Sequence, residues 1–391
     1  MDSAKDRRQV LKKFTAWKAA QERDLPAART RDKNLLLIRL DDIGDYLLFR
    51  NQLAVYKRSP RWRDHEISLL GNDSWRDLCT ALDADAVDSI IWVNKHRYLK
   101  EDAYRREIWR QLRERGFSTV IAASRTRPLL LDDLCMLAAC PPQRIGVVNT
   151  NVHASWNALS DPLYTSLFIP PNALQHEFQF NAEFTEWACG MRSAAPGPHI
   201  AWHVTPPADG AYIICFVGAS IASKRWPIRR WVEVIALYRR RHAGKVVLAG
   251  NGRTELDMVR RIRKRVAAHS IAGTVSLPEL LTWVAGAAAV VTNDTMTAHL
   301  GASLGTPTVI IANGINYMRF SEYRNAGIES VATVYPEVVS RRRRLHGDGL
   351  YTYSETVTAD IVSISAATVM EALEGLLARV PDAHPGRAAE L

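Results

Sequence analysis

The chain has 391 residues and a formal net charge of +10, with 47% hydrophobic and 24% charged side chains, which is ordinary globular usage and enough length for two domains with their own cores. No apolar run approaches the roughly 20 residues that span a bilayer. The charged start, from Asp2 through Lys13, lacks the uninterrupted apolar stretch of a secretory signal, so a cytoplasmic location is expected. Cys79, Cys135, Cys140, Cys189 and Cys215 form no C-x-x-C pair, which argues against a zinc site or a disulfide framework.

In chain order, residues 1–33 read as a basic leader, with ten Lys or Arg against five Asp or Glu. Val10, Leu11, Phe14 and Trp17 recur at helical spacing, with Lys12, Lys13 and Lys18 on other faces. That pattern predicts a basic amphipathic helix, which either lies on an anionic membrane or packs on the protein body. A first βα series follows, with strands expected at Leu35–Leu40, Glu66–Leu70, Ser89–Val93, Thr119–Ala122 and Ile145–Val148 and helices at Tyr46–Tyr56, Tyr104–Arg115 and Leu129–Ala139. Residues 149–171 read as an irregular connection and His176–Met191 as a helix. The proline-rich stretch 193–209 marks a linker. The second series has strands near Tyr212–Val217, Lys245–Ala249, Thr274–Ser276, Val290–Thr292 and Thr308–Ala312. Arg341–Arg344 then fall in a loop-like region, and Val369, Leu373, Leu376 and Leu377 mark a final helix over about 366–378.

Two such series imply an α/β fold with ligands at the carboxyl ends of parallel strands, and three polar turns fall at those ends. After the first strand comes Asp41-Asp42-Ile43-Gly44-Asp45. After Tyr212–Val217 comes Gly218-Ala219-Ser220, with Lys224 as a cation for phosphate. After Val290–Thr292 comes Asp294-Thr295-Met296-Thr297, opening a helix whose unpaired N–H groups and dipole suit a phosphate or diphosphate. Asp294 could grip sugar hydroxyls, and His299 lies about one turn further on. The plainer reading of that segment is an Asp cap with a core-facing His.

Together these segments resemble glycosyltransferase family nine, the family of the lipopolysaccharide heptosyltransferases. The R-L-x-x-I-G-D pattern matches Arg39 to Asp45, G-A-S-x-x-x-K-x-W matches Gly218 to Trp226, and D-T-x-x-x-H-L-A-A-x-x-G-x-P matches Asp294 to Pro307, with Gly301 where Ala is usual. Met296 replaces a customary Gly, and Ala312-Asn313-Gly314 replaces a customary F-G-P turn, which suggests a separate branch. The resemblance implies a GT-B architecture, two Rossmann-like βαβ domains facing a central cleft: the leader over 1–33, an acceptor and catalytic-base domain over 34–195, a nucleotide-sugar domain over 209–364, and a helix over 365–380 that crosses back to the first domain.

The resemblance further implies sugar transfer with inversion, ADP-heptose being the leading donor and a lipopolysaccharide-core or related anionic glycan the acceptor. Asp45 fills the Asp of I-G-D and is the expected base, with Asp41 and Asp42 as competitors in the same turn. Gly218, Ser220, Lys224, Thr295, Met296 and Thr297 would take the diphosphate without a metal, Asp294 and His299 the donor sugar, and Val275 the adenine. Asp42, Gly44, Thr254, Glu255, Asn313 and Arg319 are further candidates for donor or acceptor contacts. Trp226 is expected to pack beneath its loop. Arg341–Arg344 and the leader suggest an anionic partner, with peripheral membrane contact as one way of meeting it. Nucleic acid does not fit, because the basic residues lack interleaved aromatics. Two other classes stay open: a catalytically silent nucleotide-sugar-binding protein, and a sugar-nucleotide epimerase, which would act on donor alone.

Overall fold

The computed structural model describes residues 4–148, 154–171, 174–192, 197–202, 205, 207, 210–315, 317–346 and 359–379. Its contacts divide the chain into two units, one built from residues 1–173 and 180–196, the other from 174–179 and 197–391.

The first unit holds a six-stranded sheet of β1 (Asn34–Arg39), β2 (Glu66–Asn72), β3 (Ser89–Val93), β4 (Thr119–Ala122), β5 (Gln143–Val147) and β6 (Ser166–Phe168), in the order β3-β2-β1-β4-β5-β6 with every pair parallel. The sequence of β1, Asn-Leu-Leu-Leu-Ile-Arg, is buried throughout, as expected of a central parallel strand covered on both faces. Its polar entry residue is anchored through the amide nitrogen: Asn34 Nδ2 donates to the Arg115 carbonyl at 2.8 Å.

The leader forms a helix, Ala4–Asp24. Its apolar stripe packs on the protein body, with Phe14 joining Leu129 and Leu134, and Ala20 and Trp17 entering the main core. Gln21 Nε2 donates to the Leu134 carbonyl at 2.9 Å, and the Arg105 guanidinium lies 3.7 Å over the Trp17 ring. Of the two sequence readings of this helix, packing is the one its contacts match. Among the described residues no helix is long and apolar enough to cross a membrane.

The second unit repeats the plan with β7 (Tyr212–Phe216), β8 (Lys245–Ala249), β9 (His269–Ser270), β10 (Ala289–Asn293), β11 (Thr308–Ile311) and β12 (Val331–Val334), in the order β12-β11-β10-β7-β8-β9, again parallel. In each sheet the first strand is central, flanked by the second and the fourth. The connections therefore reverse direction beside β1 and beside β7, and ligand crevices of open α/β sheets form at such switch points.

Several sequence expectations are corrected. No strand forms at Thr274–Ser276; β9 lies upstream, and Ser276 instead caps the helix Leu277–Ala285 through a reciprocal bond with Glu279. The connection 149–171 contains a helix, Ala154–Ser160, as well as β6. Arg341–Arg344 lie within the helix Glu337–His346 rather than in a loop, with Arg343 paired to Glu322 and Arg344 to Glu337. In the final helix, Ala366–Leu377, Val369, Met370, Leu373 and Leu376 complete the core of the second sheet.

Candidate functional site

In the first unit the chain leaves β1 at Arg39 and enters the helix Ile43–Phe49 with Asp42 at the cap position. The turn is clamped from three sides. Arg39, wholly buried, pairs with Asp41 at 2.9 Å and donates to the carbonyls of Ala123 (2.6 Å) and Asp45 (3.4 Å) and to Asn181 Oδ1 (3.2 Å), with its guanidinium 4.6 Å from the Phe49 ring centre. The Asp41 carbonyl accepts from Asn72 Nδ2 at 2.9 Å and from Trp75 Nε1 at 3.3 Å. Trp75 reaches it only because residue 71 is glycine, since a Cβ there would stand 2.5 Å from the indole.

Of the three carboxylates in this turn, Asp41 is held by Arg39 and Asp42, exposed, by Lys95. Asp42 does not cap the helix with its side chain. Gly44 and Asp45 are half-buried in the first helical turn, where the dipole favours a carboxylate. Within electrostatic reach of Asp41 and Arg39 lies Asp132, which the sequence reading missed. It is 2% exposed, and burial pushes its carboxyl up to about 8, assisted by the charges of Asp41 and Asp133 and opposed by Arg39. No local pattern marks it, because its surroundings come from segments some ninety residues apart.

In the second unit the loop after β7 and the helix after β10 meet through Asn293. Its Nδ2 donates to the carbonyls of Val217 (3.0 Å) and Gly218 (2.9 Å), and its Oδ1 accepts from Trp226 N at 3.2 Å. Trp226 is buried as expected, donating from Nε1 to the Ile364 carbonyl at 3.1 Å. These anchors bring Lys224 Nζ to 2.5 Å from Asp294 Oδ2, both side chains buried. Asn313 fixes the same loop from the far side: its Nδ2 donates to the Ser223 carbonyl at 3.0 Å.

The helix Met296–Leu304 starts beside this pair, with Thr295 as its cap residue and no side-chain capping bond. Thr295 and Met296 are half-buried, and the wholly buried Thr297 hydroxyl has no hydrogen-bond partner among the described residues. Ser220 is exposed on the loop. His299 is buried, its Nδ1 lying 2.5 Å from the Tyr323 hydroxyl. Burial lowers its pKa to about 4, with Lys224 acting in the same direction and Asp294 and Glu177 opposing, so the imidazole is neutral near pH 7.

The remaining candidates sit differently. Glu255 packs against Gly218, where a Cβ would collide with its carboxylate, and accepts from the Asn251 backbone N–H; burial raises its pKa. It therefore shapes the turn from below. Thr254 is exposed at the start of the helix Arg253–Arg263, and Val275 is half-buried just before the Ser276 cap. Arg319 pairs with the buried Glu177 at 2.8 Å and lies over the Phe320 ring at 4.5 Å. Among the described residues no group of three or more His, Cys, Asp or Glu side chains is arranged to hold a metal ion.

Two doubly wound parallel sheets, each with a charged turn after its central strand, define the class of fold: α/β with GT-B architecture. Residues 169–315 match the family model of glycosyltransferase family 9 (heptosyltransferase). Among solved structures it is similar to the glycosyl transferase family 9 protein of Veillonella parvula DSM 2008, with 18% identity, a TM-score of 0.68, and coverage of 90% of this chain and 100% of that one. It is also similar to the E. coli ADP-heptose lps heptosyltransferase II (16% identity, TM-score 0.63, 88% and 99% covered) and to E. coli heptosyltransferase WaaC with ADP (16%, 0.64, 88% and 99%). At these identities the likeness establishes the fold. No curated protein matches the chain by sequence.

Proposed function

We propose that the protein is an inverting glycosyltransferase that moves a sugar, heptose from ADP-heptose foremost, onto a hydroxyl of a lipopolysaccharide-core or related anionic glycan. The observation that carries this reading is the buried Lys224–Asp294 pair beside the first turn of the helix Met296–Leu304. It puts a cation and backbone donors for a diphosphate in one place with a carboxylate for sugar hydroxyls. The named ligands of the similar E. coli enzymes, ADP and ADP-heptose, support that choice of donor. Gly218, Ser220, Thr295, Met296 and Thr297 would line the diphosphate, and Val275 the base. The second unit would hold the donor, and the first would present the acceptor.

In the transfer, Asp45 takes the proton of the acceptor hydroxyl as its oxygen bonds to the anomeric carbon. The bond from that carbon to the diphosphate oxygen breaks, and the nucleoside diphosphate leaves with the electron pair, inverting the configuration. Lys224 and the N–H groups of Thr295 to Thr297 stabilise the charge that develops on the leaving group, the part a metal plays in other sugar transferases. A nucleotide-sugar donor would place the reaction in the cytoplasm.

The test is incubation with ADP-heptose, with and without a truncated-core lipopolysaccharide, following ADP release and the mass of the acceptor. Acceptor-dependent ADP release with a one-heptose mass gain is expected. Conversion of the sugar without acceptor would point to an epimerase, and donor binding without turnover to a silent binding protein.

A further inference from the structure

Tyr323 lies outside the motifs that carry the family resemblance, yet it touches His299 of the proposed donor site directly. Its side chain is 1% exposed, and its ring packs against His176 (4.3 Å between centroids) and Phe178 (6.5 Å). These aromatics fix the ring from one side. Its hydroxyl lies 2.5 Å from His299 Nδ1, and no other hydrogen-bond partner of that hydroxyl is present among the described residues.

We infer that Tyr323 is a positioning residue that fixes His299 as the Nε2–H tautomer, so that His299 donates a hydrogen bond to an oxygen of the bound sugar nucleotide. A phenol carries one proton, and this one has a single acceptor within reach, the Nδ1 lone pair. Were Nδ1 protonated instead, the phenol proton would be buried without an acceptor, which is the costlier arrangement. With Nδ1 accepting, the ring proton must sit on Nε2. Burial and the nearby Asp294 carboxylate keep the Tyr323 phenol protonated, and burial keeps the imidazole neutral, so both members hold these roles across the physiological range. His299 Nε2 makes no hydrogen bond to any described residue, which leaves its N–H for a ligand oxygen. His299 lies three residues into the helix Met296–Leu304, which starts beside the Lys224–Asp294 pair of the proposed donor site.

The inference about the ligand rests on the donor-site reading, whereas the tautomer does not, so the two are measured separately. In the full chain labelled with 15N-histidine, the His299 signals are assigned by their absence in His299→Gln. Wild type should show the Nε2–H pattern without ligand, and Tyr323→Phe, which keeps the ring and loses the hydroxyl, should move His299 toward Nδ1–H or a mixture. The KM for ADP-heptose should then rise about three- to tenfold, the worth of one neutral hydrogen bond, with kcat changed less. In the His299→Gln background, whose amide supplies an N–H independently of residue 323, Tyr323→Phe should add no further loss. An Nδ1–H pattern in wild type, an unchanged tautomer in Tyr323→Phe, or equal KM losses in both backgrounds overturns the inference. If ADP-heptose is not a substrate, the functional reading fails, while the ligand-free spectra still decide the tautomer.

Discussion

Replacing Asp132 by Asn should stabilise the protein, and increasingly so as the pH rises. The native carboxyl keeps its proton to a pH of about 8, whereas an unfolded aspartate with the ordinary value of 3.8 has lost it well below neutrality. Between those values the native state binds more protons than the unfolded chain, so stability falls as the pH rises through the window. At about 1.36 kcal/mol per pH unit, the gap of roughly four units amounts to about 4 kcal/mol at pH 7 and about 5 kcal/mol by pH 9. Those figures are large beside the roughly 5–15 kcal/mol that holds a domain together. An amide of the same shape cannot ionise and escapes the loss. Urea unfolding followed by the fluorescence of Trp75 and Trp109, both fully buried in the first unit, measures the effect at pH 5, 7 and 9. The advantage of the variant should widen by about 4 kcal/mol from pH 5 to pH 9. Parallel profiles for variant and wild type would show that Asp132 titrates normally and would refute the reasoning.

Asp45→Asn should leave ADP affinity intact and lower turnover by at least about a hundredfold, as loss of a general base does; turnover near that of wild type would transfer the role to another group. Lys224→Met should weaken ADP and the intact donor alike, by roughly tenfold or more, whereas Asp294→Asn should weaken the intact donor yet leave ADP binding equal or tighter, because it releases Lys224 from its counter-ion. Calorimetry with both ligands separates these cases. Phe14→Ala should cost about 3–5 kcal/mol in the unfolding of the first unit while leaving association with anionic vesicles unchanged, because the ring is buried against Leu129 and Leu134; a stable variant with weakened vesicle binding would restore the membrane reading of the leader.

Much of the frame was legible because parallel strands buried on both faces are short apolar runs: Ser89–Val93, Thr119–Ala122 and Lys245–Ala249 are read at their observed limits. β9 escaped because two residues, His269 and Ser270, carry neither periodicity nor burial. Arg341–Arg344 read as a loop because the charge run hides a helix whose Val339 is buried while Val338 and Leu345 are exposed. Within the site, Lys224 and Asp294 were visible because each sits at a fixed offset from a strand end. Tyr323, Glu177, Asn293 and Asp132 were not singled out because their partners are distant in sequence. The placement of Glu255 was hidden for a related reason: the sequence shows a carboxylate at a helix start but not that the missing Cβ of Gly218 gives it a place to lie.

The absent side chain at residue 71 also has a consequence for inheritance. The indole of Trp75 occupies the space a methyl group would need, and the same indole holds the Asp41 carbonyl in the turn that presents Asp45. Residues 71 and 75 are thus a single hereditary unit: a chain that gains any side chain at 71 must give up the large ring at 75, and one that shrinks the ring is released from glycine. Sequences descended from this one should change both positions together or neither, and those that change both must fasten the Asp41 carbonyl by Asn72 alone or by a new donor.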